Sequence, residues 1–393
     1  MTPGSGRMEE VRRREFPGAG DAIYLNAASF GLLPARSRAA LDHWNEARAS
    51  GRGPDPDEFG RALSDARSAA GRLLGVPPGE VALMPNTTLG IHLGVAAVAE
   101  GPSGTILVSD GEFPANVLPW RALERRGFRV EVVPADPMGR PDPERLAARM
   151  EAISDLRALA LSMVQFGTGV ALPLEMWGAR CRAAGAFFAV DAIQGLGIRP
   201  LEDPASLGID LVASGAQKWL LSPWGTGFAW LHPRHHSRVP PPVTSWWGFE
   251  SSLDFEELLD YDSALLPDAR RYEPATLPIQ SMAAMARSLE LILEVGVQRI
   301  REHVLELVDP LVEWASETPG VRPVSPEDPR DRGGMYVVEV SEPEAWARGL
   351  SEAGVSVSVR SGRIRFAPHL YNTSGELRQV VEVLDRIAFS VPG

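Results

Sequence analysis

The chain has 393 residues, and 39 Lys and Arg against 51 Asp and Glu leave a formal net charge of −12. That balance argues against a nucleic-acid surface, and 44% apolar with 23% charged residues is the composition of an ordinary globular protein of two or three domains, large enough to need neither disulfide nor metal. The one cysteine, Cys181, has no partner for an internal disulfide; no signal-peptide run opens the chain and no stretch reaches the ~18 uncharged apolar residues of a bilayer span. A cytoplasmic protein with no membrane function is expected.

Residues 1–20 read as a loosely held arm. From Val81 to Leu231, short apolar runs alternate with helical patterns, the rhythm of βαβ units and a parallel sheet. Seven strands are expected there: VALM from Val81, TILVS from Thr105, VEVV from Val130, LALS from Leu159, FFAVD from Phe187, DLVAS from Asp210 and GFAWL from Gly227. Several are apolar on both faces, as a sheet covered by helices on both sides requires. Between Pro240 and Thr276 the sequence is too rich in Pro and turn residues for a regular sheet and reads as the connection between domains. A long helical pattern from Ile279 to about Trp314 follows. Then come a strand GMYVVEV, a helix near Glu344, two short strands SVSV and IRFA, and a helix from about Ser374, the alternation of a small α+β domain. The expected division is a large domain over residues 21–275 and a small one over 276–393, with residues 21–40 as candidates to pack on the latter.

Chemistry concentrates between Phe187 and Trp230. Asp191 ends one apolar strand and Lys218 follows the next, and ligands of parallel sheets bind beyond the carboxyl ends of strands. A carboxylate placed there is costly unless a cation faces it, and a protonated pyridinium nitrogen is such a cation. Lys218 stands in a loop of Gly, Trp and Pro, where desolvation lowers an amine's pKa and favours Schiff-base formation. Together they are what pyridoxal phosphate asks of a protein, although a turn-capping Asp and a solvated Lys would read the same. After the first strand, PNTTLGIHLGVAAVA starts a helix with Asn86, Thr87 and Thr88, a capped N-terminus suited to a phosphate or to simple capping.

These residues, with YLNAASFG near Tyr24, VDAIQ, SGAQKW and RFAPHLYNT, resemble the fold-type I, class V aminotransferase-like enzymes. That family includes cysteine desulfurases, selenocysteine lyases, isopenicillin N epimerase, kynureninase and the ergothioneine C–S lyase. The resemblance runs from Tyr24 to Thr373. It implies an α/β fold with a seven-stranded mostly parallel sheet in the large domain and a smaller α+β C-terminal domain. It also implies pyridoxal 5'-phosphate as cofactor, a small amino-acid substrate and a homodimer with shared active sites. By resemblance Lys218 is the Schiff-base lysine, Asp191 the partner of the pyridine nitrogen and Gln194 the donor to the phenolic oxygen. Thr87, Thr88, Gln217 and, as a helper, Ser214 bind the phosphate, completed by Thr276 of the neighbouring subunit. Phe113 stands where many relatives stack a histidine on the cofactor; it can stack but cannot carry a proton. Arg365 resembles the arginine that grips the substrate carboxylate. His369 and Asn372 are expected near the substrate or behind it, and Trp246 with Trp247 as a wall of its pocket.

The chain departs from the desulfurases in three places. SVSVRSGRI, from Ser356 to Ile364, leaves no room for their cysteine-bearing loop. Cys181, in ARCRAAG, reads as a buried structural thiol. SMVQFGTGV near Gln165 lacks their asparagine. The expected activity is therefore a C–S or β-eliminating lyase without a persulfide cysteine, with transamination, epimerisation and a non-catalytic cofactor-binding protein as alternatives. His232, His235 and His236 read as a solvated loop rather than a metal site, and no GxGxxG follows a strand and opens a helix to suggest a nicotinamide.

Overall fold

The computed structural model describes residues 5–52 and 55–390. The first elements in chain order are α1 (Ser5–Glu15), β1 (Ile23–Tyr24), α2 (Ala35–Ala49), α3 (Pro56–Leu74), β2 (Val81–Leu83), α4 (Thr87–Ala99), β3 (Thr105–Ser109), α5 (Leu118–Arg121) and β4 (Arg129–Val133). They continue as α6 (Pro143–Ala152), β5 (Leu156–Ser162), α7 (Leu174–Ala184), β6 (Phe187–Asp191), β7 (Leu211–Gly215) and β8 (Gly227–Leu231). The C-terminal part holds α8 (Ile279–Val295), α9 (Val297–Glu317), β9 (Arg322–Pro323), β10 (Tyr336–Glu339), α10 (Pro343–Glu352), β11 (Val355–Ser356), β12 (Ser358–Arg360), β13 (Arg363–Phe366) and α11 (Ser374–Ser390).

All seven expected strands form one sheet, in the order β2-β8-β7-β6-β5-β3-β4. Strand β8 runs against its neighbours β2 and β7, and the other pairings are parallel. Alternation along the strands feeds two cores. Leu107, Leu159, Leu161, Phe188, Val190 and Val212 point into one, and Ile106, Val108, Ala158, Ala160, Ala189 and Ala213 into the other. On the second face α4 lies close to the sheet because Gly90 has no Cβ, which would stand 2.8 Å from that of Ala213. A separate sheet, β12-β13-β10-β9, is antiparallel and carries the C-terminal α+β unit.

Two readings are corrected. Residues 5–15 are a helix rather than a loose arm: Met8, Val11 and Phe16 are buried, and Phe16 packs 5.1 Å from Tyr371. The apolar side chains at helical spacing were present in the sequence but diluted by arginines. The single helix expected from Ile279 is two, because Gly296 adopts φ 92, a left-handed conformation open to glycine, and turns the chain between α8 and α9. Residues 21–31 return across the C-terminal unit, with β1 parallel to β11 and Ala27 N–H bonded to Ala367 O at 3.1 Å.

Candidate active site

The carboxyl ends of β5, β6 and β7 open onto one place. Asp191 ends β6 with 2% exposure, and its Oδ1 accepts Ile193 N–H at 3.0 Å. Burial pushes its carboxyl up to about 6, while the Lys218 charge pulls the other way. Lys218 sits in a tight turn after β7, closed by Leu221 N–H to Lys218 O at 3.1 Å and Ser222 N–H to Ala216 O at 3.0 Å, with Leu221 at φ 54. Its amine is lowered to about 8 by burial, opposed by Asp191 and assisted by Arg365 and Arg360. The ammonium lies 5.6 Å from the centre of the Phe113 ring, which meets Phe166 edge-on at 5.3 Å.

Beside the lysine, Thr87 starts α4 and its Oγ1 accepts Gly215 N–H at 2.8 Å, while Asn86 caps the helix through Leu89 N–H at 3.0 Å. A Cβ on Gly215 would stand 2.5 Å from Gln217 Oε1 and 3.3 Å from Thr87 Oγ1. The missing side chain leaves a cradle between two polar groups and the first turn of a helix, where free N–H groups and the dipole favour an anion. Thr88 is exposed on that turn. Ser214 is buried, with its hydroxyl donated to Gly215 O at 2.9 Å, so it braces the strand end.

Gln194 is buried between two segments: Nε2 donates to Ala28 O at 3.0 Å and Oε1 accepts Trp219 Nε1–H at 2.7 Å. Arg365 is 2% exposed and donates to Ser29 Oγ at 2.9 Å, Phe166 O at 3.2 Å and Ser358 Oγ at 3.2 Å. Burial and the neighbouring Arg360 hold its guanidinium at about 10, below the usual range. Among the described residues no carboxylate pairs with it. Arg363, two positions away, has Glu339 at 3.2 Å.

Two expectations change, and a third is narrowed to the alternative behind the site. His369 is fully buried. Its Nδ1 accepts Leu370 N–H at 2.7 Å, so the ring is neutral, lowered to about 4 by burial, and Nε2–H donates to Trp219 O at 3.0 Å. It is a strut behind the Lys218 turn, and Asn372 Oδ1 in turn accepts His369 N–H at 2.9 Å. Trp246 is 46% exposed and packs edge-on against Trp247 and Phe255, with no ring or hydrogen-bond contact to the lysine cluster. The histidine segment is not solvated throughout. His235 is buried with Nε2 2.6 Å from the Asp210 carboxylate, and burial lowers His232 and His236. Thr276 is exposed and outside the Thr87–Gln217 cluster, in a loop anchored where Glu273 takes two 2.7 Å bonds from Arg67 and one of 3.0 Å from Leu83 N–H.

Sequence reading missed two supports. Glu112 is buried and accepts Ser162 N–H at 2.8 Å, the Ser162 hydroxyl and Asn116 Nδ2–H at 3.0 Å, and thereby clamps the Phe113 segment onto β5. Burial raises it to about 7. Its place beside Phe113 was the available signal. The amide oxygen of Gln165 is committed to Gly167 N–H, Thr168 N–H and the Thr168 hydroxyl, each at 2.8 Å, and its nitrogen to Gly111 O. It therefore ties its own loop to the segment that follows β3.

Comparison with known proteins places this geometry in context. The family described as Aminotransferase class-V matches residues 35–378. The chain belongs to the class V aminotransferase family. It is 27% identical to a probable cysteine desulfurase of Methanothermobacter thermautotrophicus, over 97% of this chain and 98% of that one. It is 28% identical to the isopenicillin N epimerase of Streptomyces clavuligerus, over 93% of this chain and 94% of that one. Its fold superposes on a cysteine desulfurase from Thermococcus onnurineus NA1 with a TM-score of 0.86 and 21% identity, covering 98% of both chains. The class V protein is a pyridoxal phosphate enzyme of fold type I. The cradle over Gly215, the buried Asp191 and the low-pKa lysine fit that cofactor.

The lysine environment carries a pH prediction. Only the neutral amine attacks an aldehyde, and burial lowers the Lys218 pKa to about 8. In cofactor-free protein the loading rate, followed by growth of visible absorption, should rise about tenfold per pH unit below that value and level off above it. A rate still climbing steeply up to pH 10 would show an ordinary solvated lysine.

Proposed function

We propose that the protein is a lyase that removes a β-substituent, of C–S type, from a small α-amino acid, without forming a persulfide on itself. The observation that carries the amino-acid reading is Arg365, a buried guanidinium with no acidic partner among the described residues, within the field of the Lys218 amine. A buried cation in that state is stabilised by a substrate carboxylate. Lys218 holds the cofactor and then serves as the base for the α-proton, Asp191 keeps the ring nitrogen protonated, and Gln194 serves the phenolic oxygen. Thr87, Thr88 and Gln217, braced by Ser214, take the phosphate. Bound pyridoxal phosphate supplies the electron sink for charge developing at the substrate's α-carbon.

Two features support elimination. Phe113 offers no acid from its side, which disfavours epimerisation, a reaction that needs protons delivered to opposite faces. Ser361 and Gly362, at φ 51 and φ 73, link β12 to β13 in a two-residue hairpin turn, and Cys181 is buried on α7 with its thiol pushed well above the usual range. Neither place offers an exposed sulfur acceptor. The exposed apolar side chains Trp246, Leu253, Phe255, Leu259 and Tyr261 support a homodimer in which Thr276 of one copy completes the phosphate site of the other.

Product analysis tests this reading. With cystine or an S-substituted cysteine, the cofactor-loaded protein should release pyruvate, ammonia and a sulfur product in equal amounts over many turnovers. Keto acid formed once per site without ammonia, and sustained only by an added keto acid, would establish transamination instead. Colour without any response to amino acids would leave a non-catalytic binder.

A further inference from the structure

Glu112 is a buried acid that the function proposed above leaves without a chemical task. Its Oε1 accepts Ser162 N–H at 2.8 Å, and its Oε2 takes the Ser162 hydroxyl and, at 3.0 Å, Asn116 Nδ2–H. Among the described residues no cation pairs with it. The hydroxyl and the amide can serve either form of the acid. Ser162 Oγ–H donates to a carboxylate or turns to accept from a carboxyl. Asn116 Oδ1 is buried with no partner, so no other hydrogen bond holds the side-chain amide, and a half-turn about its last bond offers that oxygen to a proton on Glu112. Such a pocket can hold the acid with its proton or without it.

The proton also answers to the cofactor site. Ser162 ends β5 and is paired with Asp191 on β6, and the Asp191 charge adds to burial in raising the Glu112 carboxyl to about 7. The other elements around it bring little charge. Gln165, on the loop after β5, is neutral and bonded to Gly111 O. Asp110, after β3, is exposed and takes Gly111 N–H at 2.8 Å. Burial lowers His92 on α4, Arg121 on α5 is exposed, and the Lys218 ammonium reaches the neighbouring Phe113 ring, 5.6 Å from its centre.

Resting on the ring-nitrogen role given to Asp191, we propose that Glu112 holds a proton in the cofactor-free protein and gives it up when a pyridinium seats against Asp191, so that cofactor binding and the ionisation of Glu112 are one linked event. A positive ring nitrogen cancels the charge that helps to keep Glu112 protonated. The freed carboxylate then draws both Ser162 and Asn116 onto itself, which fixes the Phe113 segment to β5 as the ring is covered. Glu112 is thus a positioning residue. Because the cofactor-free form holds its proton up to about pH 7, the linkage strengthens binding as pH rises toward that value and adds nothing above it.

The test is calorimetric titration of the cofactor-free protein with pyridoxamine 5'-phosphate, which seats the ring without bonding to Lys218. Buffers of different ionisation enthalpy count the protons released per site. At pH 7 wild type should release about half a proton more than Glu112→Gln, and at pH 9 the two should agree. Asn116→Ala removes a donor to the carboxylate, which raises the cofactor-free acid further, and should move the extra release to higher pH. A Glu112 that only braces the Phe113 segment would change affinity in the Gln variant and leave the proton counts equal. That outcome overturns the proposal, with the cofactor reading intact because pyridoxamine phosphate still binds. An Asn116→Ala profile identical to wild type overturns it as well. Protein that binds no pyridoxamine phosphate overturns both.

Discussion

Lys218→Ala should purify without the visible colour of lysine-bound cofactor and should turn over at least about 10⁴-fold more slowly than wild type. The size of the effect follows from one side chain holding two roles. As the amine that holds the cofactor it is a nucleophile whose pKa is brought to about 8 by burial. In the proposed function it is also the base for the α-proton, a role that contributes a further ~10² to 10⁴ and in which Phe113, its ring centre 5.6 Å from the amine, has no proton to share. The substitution leaves the fold in place: the turn is closed by the main chain at Lys218 O and Ala216 O, and its back is held by Trp219, bonded to Gln194 and His369. Absorption spectra and steady-state rates at saturating cofactor are the measurements. A coloured, active Lys218→Ala protein would remove the lysine from both roles.

Arg365→Ala should raise KM for every amino-acid substrate by about 100-fold, about 3 kcal/mol of lost carboxylate binding, with a much smaller change in kcat. Arg365→Lys should recover only part of this, since an ammonium cannot bridge a carboxylate as a fork does. The loss should lie in binding rather than folding. Arg365 has no acidic partner to leave stranded, and its three hydrogen bonds run to two hydroxyls and one carbonyl. Removing an unpaired buried cation relieves desolvation even as it opens space. Thermal melts that match wild type, together with a raised KM, check the point. An unchanged KM would mean that the substrate carboxylate is held elsewhere.

The effects differ in how they reach the chemistry. Glu112 acts through Phe113 and His369 through the Lys218 turn; neither offers a free polar atom to a ligand. Both show that a buried polar residue beside a functional one is first a matter of satisfied hydrogen bonds.

Local sequence determined the large sheet. Apolar runs such as TILVS and FFAVD end in turn residues, and each has only one way to bury both faces, so strand identity and the positions of Asp191 and Lys218 at strand ends were readable from period alone. The α4 start was readable for the same reason, since Asn86 caps its own helix through local hydrogen bonds. What lay beyond the sequence depends on residues distant along the chain. Whether α1 docks is decided by Tyr371, whether Arg363 or Arg365 is left unpaired is decided by Glu339 on the neighbouring strand, and the convergence of Arg360 and Arg365 is decided by Ser29 on the returning N-terminal segment. Period and capping are properties of a few consecutive residues, and they carry no information about which charged group meets its counter-charge on a neighbouring strand. That was settled only when the tertiary fold brought residues 26–31 over the Lys218 turn, and with it settled which cation stands free to bind a substrate.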